Sequence, residues 1–116
     1  MENICFLLNQ FIRCSAYENI IFCWVMHEQA IIDEILSKLD IEHCLVHIIS
    51  LICGADELRK RLQKDVDAGI RSEDVIQRSI ARVGLYEDLD TEKIDVSHIT
   101  AGQAAESVIN SIYRWR

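Results

Sequence analysis

The chain has 116 residues, of which 50% are apolar and 27% are charged. This composition excludes intrinsically disordered and fibrous proteins, and the length favours a single domain with a modest core. The formal net charge of −7 argues against a nucleic-acid binder, because such domains neutralise phosphates with clustered lysine and arginine. Proline is absent and glycine occurs four times, so closely spaced regular elements are expected rather than a loop-rich sandwich.

The five cysteines form no C-x-x-C pair, and their odd number indicates neither a disulfide framework nor a zinc ribbon. Most of them lie in apolar runs, so we predict that they are reduced and buried as small hydrophobic residues. The N-terminus lacks the positive region of a signal peptide, and no apolar run reaches the roughly 18 residues of a membrane span. A cytoplasmic location without membrane contact is therefore expected.

The first half of the chain alternates between helical and extended patterns. Apolar residues spaced three and four apart, from Ile4 to Ile12, predict an amphipathic helix at the N-terminus. The β-branched and aromatic run at residues 19–26 predicts a parallel strand covered by helices on both faces. A helical period returns over residues 28–39. The apolar run at residues 44–53 then predicts a second buried strand.

The second half contains three helical patterns and a short strand. Residues 55–67 predict a surface helix, ended by a break at residues 68–70. Ser72 is predicted to cap the next helix, which ends near Gly84. Residues 93–96 are a strand candidate, and Thr100-Ala101-Gly102-Gln103 has the form of a capping box that opens the last helix. The whole alternation predicts an α/β fold with a mostly parallel sheet. Ligands bind beyond the carboxyl ends of the strands in such sheets, which predicts three candidate positions, residues 24–28, 53–56 and 96–100.

Basic residues are concentrated in one segment of this acidic chain. Residues 59–82 contain seven basic and four acidic side chains, a net charge of +3, and the rest of the chain carries −10. This pattern indicates a small anionic ligand rather than a polyanion. Two arginine-bearing helices around a glycine-containing break could form a lid that closes over phosphates. The alternative is a solvated helical hairpin, in which charges pair at i, i+4 spacing, as in Glu57 with Arg61 or Asp74 with Arg78.

The histidines give weaker signals. The segment His43-Cys44-Leu45-Val46-His47 has metal-ligand residue types. On a strand, however, Cys44 points away from the two histidines, so no metal site is predicted. His27 follows the predicted first strand, where its imidazole could contact a substrate or simply help to terminate a helix. It is the candidate substrate-binding residue.

The order and spacing of these elements resemble the latter two-thirds of small P-loop kinases of the nucleoside monophosphate, shikimate and gluconate kinase type. The resemblance covers residues 19–112. It is carried by the strand at 19–26, Leu51-Ile52-Cys53, Glu57-Leu58-Arg59-Lys60-Arg61-Leu62, Gly69-Ile70-Arg71-Ser72-Glu73-Asp74, Arg78, Arg82, Tyr86 and the strand-loop-helix at 93–101. It implies a three-layer α/β fold, in which helices flank a mostly parallel sheet of about three strands.

The resemblance also implies roles for individual residues. Clamping of the transferred phosphoryl group is implied for Arg71, Arg78 and Arg82. Contact with the adenine is implied for Arg61 or, second, Arg59, and for Ser97, His98 and Thr100 in the loop after the last strand. Such arginines make chemical sense, because phosphoryl transfer needs charge stabilisation and positioning more than covalent help. ATP and Mg²⁺ are the expected cofactors of the complete fold, a small-molecule phosphoryl acceptor is the expected partner, and no residue is assigned to a metal.

The phosphate cradle of that family, G-x-x-x-x-G-K-[ST], has no counterpart here, and no Gly-Lys pair occurs. The first strand, which the family places between the strands that match 19–26 and 44–53, is missing too, which leaves two strand edges unpaired. We therefore expect an incomplete single domain over residues 1–116, the C-terminal portion of a phosphotransferase, inactive as given. The alternative is a non-catalytic α/β module that associates through its exposed strand edges, as a homo-oligomer or with a partner. An unrelated receiver-like domain is disfavoured, since no acidic cluster ends the first predicted strand.

Overall fold

A computed structural model describes residues 1–114 of the chain. Over this range the protein is a mixed α/β structure with five helices and a two-stranded parallel sheet. The elements in chain order are α1 (Glu2–Arg13), α2 (Gln29–Ser37), β1 (Ile49–Ile52), α3 (Ala55–Asp67), α4 (Asp74–Glu87), β2 (Glu92–Asp95) and α5 (Ala101–Tyr113). They belong to two compact units, Met1–Val46 and His47–Arg116.

The first unit is built on a small apolar core between α1 and α2. Cys5 and Leu8 of α1 pack with Ile35 of α2, and all three side chains are buried. The predicted N-terminal helix and the predicted helix at residues 28–39 are thus both confirmed. Their apolar spacing at three and four residues places one face of each helix inward.

Polar contacts join the ends of these two helices. The side-chain amide of Asn9 donates to the carbonyl of Lys38 at 2.9 Å and accepts from the backbone N–H of Asp40 at 2.8 Å. The Arg13 guanidinium lies 2.7 Å from the carboxylate of Asp40. Both charged side chains are more than half exposed, so this ion pair contributes little free energy and mainly fixes geometry.

The predicted strand at residues 19–26 was wrong: no part of this run is a strand. Phe22 and Met26 pack against the core, but Ile21 is 88% exposed and Trp24 is about half exposed. A strand needs a neighbour to satisfy its backbone groups, and the described residues of this unit contain no second strand. The sheet therefore has two strands and not the predicted three.

The second unit is organised around β1 and β2. These strands pair in parallel, with Ile49 opposite Glu92 and Ile52 opposite Asp95, which confirms the predicted parallel arrangement. The strand predicted at residues 44–53 is shorter than expected, because only its last part finds a partner. Helices α3 and α4 form the connection between the two strands, since parallel neighbours require a long crossover.

The break between α3 and α4 lies where the sequence predicts it. Gly69 has a φ of +74°, a conformation that glycine adopts without the steric cost of a side chain. The N–H of Ile70 donates to the carbonyl of Asp65 at 2.9 Å and so satisfies one of the last carbonyls of α3.

Both ends of α4 differ from the prediction. The Ser72 hydroxyl donates to the carboxylate of Asp74 and caps no backbone N–H, so the helix begins after Glu73. It then runs through Gly84 to Glu87. One interior glycine costs only about 1 kcal/mol relative to alanine, which is too little to end a helix supported on both sides.

Helix α5 begins at the predicted capping box. The N–H of Gln103 donates to the Thr100 hydroxyl at 3.1 Å, and the N–H of Thr100 donates to the Gln103 side chain at 2.9 Å. The two bonds satisfy N–H groups that have no partner within the helix. They also fix the exit of the chain from the loop after β2.

The predicted burial of the cysteines was wrong for three of the five. All are free thiols, but only Cys5 is buried, Cys53 is half-buried, and Cys14, Cys23 and Cys44 are exposed. Cys23 lies in the run at residues 19–26, which forms no strand, and Cys44 precedes the part of its run that pairs as β1, so neither thiol is covered by a sheet. In the part of the chain that the structure describes, no helix is long and apolar enough to cross a bilayer.

Candidate functional site

A cleft lies at the carboxyl ends of β1 and β2, where ligands bind in open parallel sheets. Its volume is about 320 Å³, and it is lined by Gly54, Ala55, Asp56, Glu57, Ser97 and His98. The first four residues lead from β1 into the first turn of α3, and the last two follow β2. Two of the three strand-end positions that the sequence predicts as sites, residues 53–56 and 96–100, are therefore brought together.

Ser97 holds the two sides of this cleft together. Its hydroxyl accepts from the backbone N–H of Gly54 at 2.8 Å and donates to the Asp95 carboxylate at 2.6 Å. Its own N–H donates to the same carboxylate at 2.9 Å. Ser97 is 6% exposed, and its single hydroxyl proton is used internally. Its geometry suits a positioning residue rather than a ligand contact.

Arg61 fixes the same loop from the side of α3. Its Nη2 atom donates to the carbonyls of Val96 at 2.6 Å and of Ser97 at 3.0 Å. Its Nε atom lies 3.4 Å from the carboxylate of Glu57, one helical turn earlier. Arg61 thus holds the loop that forms one wall of the cleft, and its guanidinium is bonded to protein oxygens.

The cleft is acidic. Asp56 and Glu57 lie in the first turn of α3, where the helix dipole stabilises negative charge. Asp95 contributes a third carboxylate beneath the loop. The Ser97 hydroxyl first, and then the Ser97 N–H, lower the pKa of Asp95 below its usual range, and the nearby His98 adds to this effect. Only His98 could bring positive charge to the lining.

The hydrogen bonds to the Asp95 carboxylate predict that the stability of the folded protein depends on pH in the acidic range. Because the pKa of Asp95 is lower in the folded state than the value of about 3.9 for a free aspartate, its stabilising contribution is present above that value. The contribution is lost as the pH falls through the folded-state pKa. In an NMR titration, Ser97→Ala is expected to raise the pKa of Asp95. Ser107→Ala, which removes a hydroxyl bonded only within α5, is the control, and equal titration curves for both variants would contradict this account.

The arginines assigned to phosphoryl clamping do not line the cleft. Arg71 lies 3.0 Å from Asp65, and Arg78 lies 3.3 Å from Asp74. Arg82 is exposed on α4. The i, i+4 pairs that the sequence offered as the alternative to a lid are both formed, so this segment has the contacts of a solvated helical hairpin.

Arg59 lies away from the cleft as well. It lines a shallow groove of about 330 Å³ between α3 and α4, together with Glu73, Asp74, Ile76 and Gln77. Two of these residues are acidic, so the groove does not present a positive surface. Of the two arginines proposed near the adenine, only Arg61 contacts the loop after β2.

The two remaining candidates have different surroundings. The hydroxyl of Thr100 is used by the capping box of α5. His27 belongs to the unit Met1–Val46, where its Nε2 atom lies 3.6 Å from the carboxylate of Glu28. Its Nδ1 atom is buried and has no hydrogen-bond partner among the described residues. His27 is therefore a half-buried imidazole with one unused nitrogen.

Glu57, which lines the cleft, and Asp95, which is bonded to Ser97, were not predicted as site residues, since they lie just outside the predicted strand-end positions 53–56 and 96–100. The signal that identifies Asp95 is the Asp95-Val96-Ser97 spacing, which allows the carboxylate to accept from the N–H two residues on. Within residues 1–114, no group of three or more histidine, cysteine, aspartate or glutamate side chains could hold a metal ion.

No protein-family model, curated protein or solved structure matches this chain.

Proposed function

We propose that this chain is the nucleoside-binding part of an ATP-dependent phosphotransferase of the P-loop kinase type, completed by a phosphate-binding segment from elsewhere. The observation that carries the proposal is the cleft at the carboxyl ends of two adjacent parallel strands, with Arg61 fixed against the loop after β2. In the completed domain, further strands would extend the sheet, and helices would cover both of its faces to give three layers.

The electrostatics of the cleft favour the base of the nucleotide over its phosphates. A phosphate group would face Asp56 and Glu57, and the neighbouring Arg61 guanidinium is already bonded to two carbonyls and a carboxylate. A neutral heteroaromatic ring meets no such repulsion. Its amino group can donate to a carboxylate, and its face can stack on the imidazole of His98. In this proposal Ser97 and Thr100 position the loop, and His98 contacts the base.

The phosphate-binding parts of the proposed enzyme are not supplied by this cleft. The cradle lysine and the hydroxyl that holds Mg²⁺ in the family have no counterpart in the sequence, so the residues present do not fit Mg²⁺. Arg71 and Arg78 would have to exchange Asp65 and Asp74 for phosphate oxygens before they could clamp a phosphoryl group. The chain alone is therefore proposed to bind a nucleoside without transferring phosphate.

The phosphoryl acceptor and the cellular location belong to the same proposal. Contact of a hydroxyl or phosphate acceptor with His27, the predicted substrate-binding residue, stays a prediction, because the unused Nδ1 atom of His27 is buried. All five thiols are unpaired, which agrees with the reducing environment of the cytoplasm. Neither point is needed for nucleoside binding.

Isothermal titration with adenosine and with ATP·Mg²⁺ tests the proposal. A dissociation constant of roughly 0.1 mM is expected for adenosine, from about 0.3 kcal/mol per non-hydrogen atom. ATP·Mg²⁺ is expected to bind no more tightly, because its phosphates gain no cradle and approach carboxylates. No heat with adenosine at about 5 mM would refute nucleoside binding, because the dissociation constant would then be at least about 50-fold higher than expected, which is roughly 2 kcal/mol of lost binding free energy. Micromolar binding of ATP·Mg²⁺ would refute the claim that the phosphate cradle is missing.

A matched pair of histidine variants locates the binding. His98→Ala is expected to weaken adenosine binding roughly 3- to 10-fold, because a stacking contact is worth about 1 kcal/mol. His43→Ala removes an exposed imidazole from the unit Met1–Val46 and is expected to leave the affinity unchanged. Equal affinities for the two variants would place the adenosine elsewhere.

A second candidate function is a non-catalytic module that associates through its strand edges. The observation in its favour is the two-stranded sheet, whose β1 strand carries a Leu51 side chain that is 54% exposed. Native proteins usually cover, charge or shorten such edges. Light scattering distinguishes this candidate, since a monomer at all concentrations would contradict it.

A further inference from the structure

The three carboxylates at the cleft after β1 and β2 differ in their hydrogen-bond partners. The Asp95 carboxylate accepts from the N–H and the hydroxyl of Ser97 at 2.9 and 2.6 Å. The Glu57 carboxylate lies 3.4 Å from the Nε atom of Arg61. Asp56 is exposed, and within residues 1–114 its carboxylate has no hydrogen-bond or ion-pair partner. Asp56 is therefore the cleft carboxylate whose oxygens are open to a ligand.

The basic residue one helical turn after Asp56 does not pair with it. Lys60 follows Asp56 at i, i+4 spacing, in the acid-first order that favours an ion pair. The adjacent pair of Glu57 with Arg61 forms at this spacing, but in the described part of the chain Asp56 and Lys60 form no ion pair. A ligand that bonds to Asp56 therefore breaks no side-chain contact within the protein.

We propose that Asp56 selects bases that carry an exocyclic amino group, by accepting a hydrogen bond from that group. The inference rests on nucleoside binding by the cleft, as proposed above, and names the residue that sets its specificity. A carboxylate can only accept hydrogen bonds. When a base covers Asp56, the carboxylate loses its contact with water. An amino group replaces the lost hydrogen bonds, whereas a ring C–H leaves the charge without a donor, which costs binding free energy.

The backbone next to Asp56 adds hydrogen-bond donors to this acceptor. Helix α3 begins after Gly54, which has no side chain to accept from the N–H groups of the first turn. The N–H of Leu58 donates to the carbonyl of Gly54 at 2.9 Å, and the N–H groups of Ala55 and Asp56 have no acceptor within the helix. Adenine presents its amino donor beside the N7 acceptor. A carboxylate next to a backbone donor is complementary to this edge, and the carboxylate supplies the contact that depends on the amino group.

Isothermal titration of the full chain with adenosine and with purine riboside, which is adenosine without its amino group, tests the proposal. The wild type is expected to bind adenosine about 10-fold more tightly, because the amino group bonds to a charged acceptor. Asp56→Ala, at an exposed position, is expected to bind both nucleosides with equal affinity. The control is Asp67→Ala, which removes the same charge from an exposed position near the other end of α3. It is expected to retain the preference of about 10-fold.

Asp56→Asn separates the hydrogen bond from the charge. Its amide oxygen still accepts, so a preference for adenosine of about 3-fold is expected, weaker than that of the carboxylate. Equal wild-type affinities for the two nucleosides, or an unchanged preference in Asp56→Ala, would overturn the proposal and leave nucleoside binding intact. Loss of the preference in Asp56→Asn or in Asp67→Ala would overturn it as well, because charge alone would then decide. If neither nucleoside bound the wild type, nucleoside binding itself would be refuted, and this proposal with it.

Discussion

Replacing Arg61 with alanine is expected to lower the free energy of unfolding of the unit His47–Arg116 by about 1–2 kcal/mol. The guanidinium makes two charge-assisted hydrogen bonds to the carbonyls of Val96 and Ser97, at 2.6 and 3.0 Å. Without it, these carbonyls lose their donor and the loop after β2 is released from α3. Because that loop forms one wall of the cleft, adenosine binding is expected to be lost as well.

Arg59→Ala is the matched control for this prediction. Arg59 lies on the same helix two residues earlier, is exposed, and faces the groove between α3 and α4. Its removal changes the net charge equally and is expected to alter the stability by less than about 0.5 kcal/mol. Urea denaturation measures both variants, and equal losses of stability would show that Arg61 acts only through its charge.

Ile35→Ala is expected to destabilise the unit Met1–Val46 by about 2–4 kcal/mol. Ile35 is 4% exposed and packs against Cys5 and Leu8, so its truncation leaves a cavity in the small core. A compact unit of this size has a small free energy of unfolding, because a short chain buries only a limited apolar surface. The amides of α1 and α2 are therefore expected to lose their protection against hydrogen exchange.

The control for this substitution is Ile21→Ala in the same unit. Ile21 is 88% exposed, and its truncation is expected to change stability by less than about 0.5 kcal/mol. Retained protection of the helix amides in Ile35→Ala would contradict the assignment of Ile35 to the core. Loss of protection in Ile21→Ala would show that the run at residues 19–26 is packed more tightly than described.

The helices were predictable because their signals are local. The 3.6-residue apolar period of α1 and the pairing of Thr100 with Gln103 depend on residues within a few positions of each other. The end of α4 was mispredicted because Gly84 is only a weak helix breaker. The low helix propensity of glycine is a weak local effect, and the helical residues on both sides of Gly84 outweigh it.

The strands were harder to predict because they depend on distant partners. The runs at residues 19–26 and 44–53 are both apolar, but only Ile49–Ile52 finds a neighbouring strand, β2, more than 40 positions away. An apolar run indicates that burial is favourable and does not indicate which backbone will pair with it. Trp24 and Cys44 are exposed because the segments in which they lie have no neighbouring strand to pair with.

The place of the candidate site could be predicted, but the roles of its residues could not. Strand ends at residues 53–56 and 96–100 were recognised from topology alone. The orientation of Arg61 towards backbone carbonyls, and the pairing of Arg71 with Asp65, depend on the tertiary arrangement. The Asp74 with Arg78 pair was visible as i, i+4 spacing.

In the proposed function, the cleft at the ends of β1 and β2 binds the base of a nucleotide. An NMR titration of the full chain with adenosine tests it most directly, because backbone amide shifts locate the ligand residue by residue. Saturable shifts are expected at Gly54, Asp56, Ser97 and His98, with the amides of Arg71 and Arg78 unchanged. Saturable shifts centred on the two arginines, or none in the cleft, would contradict it.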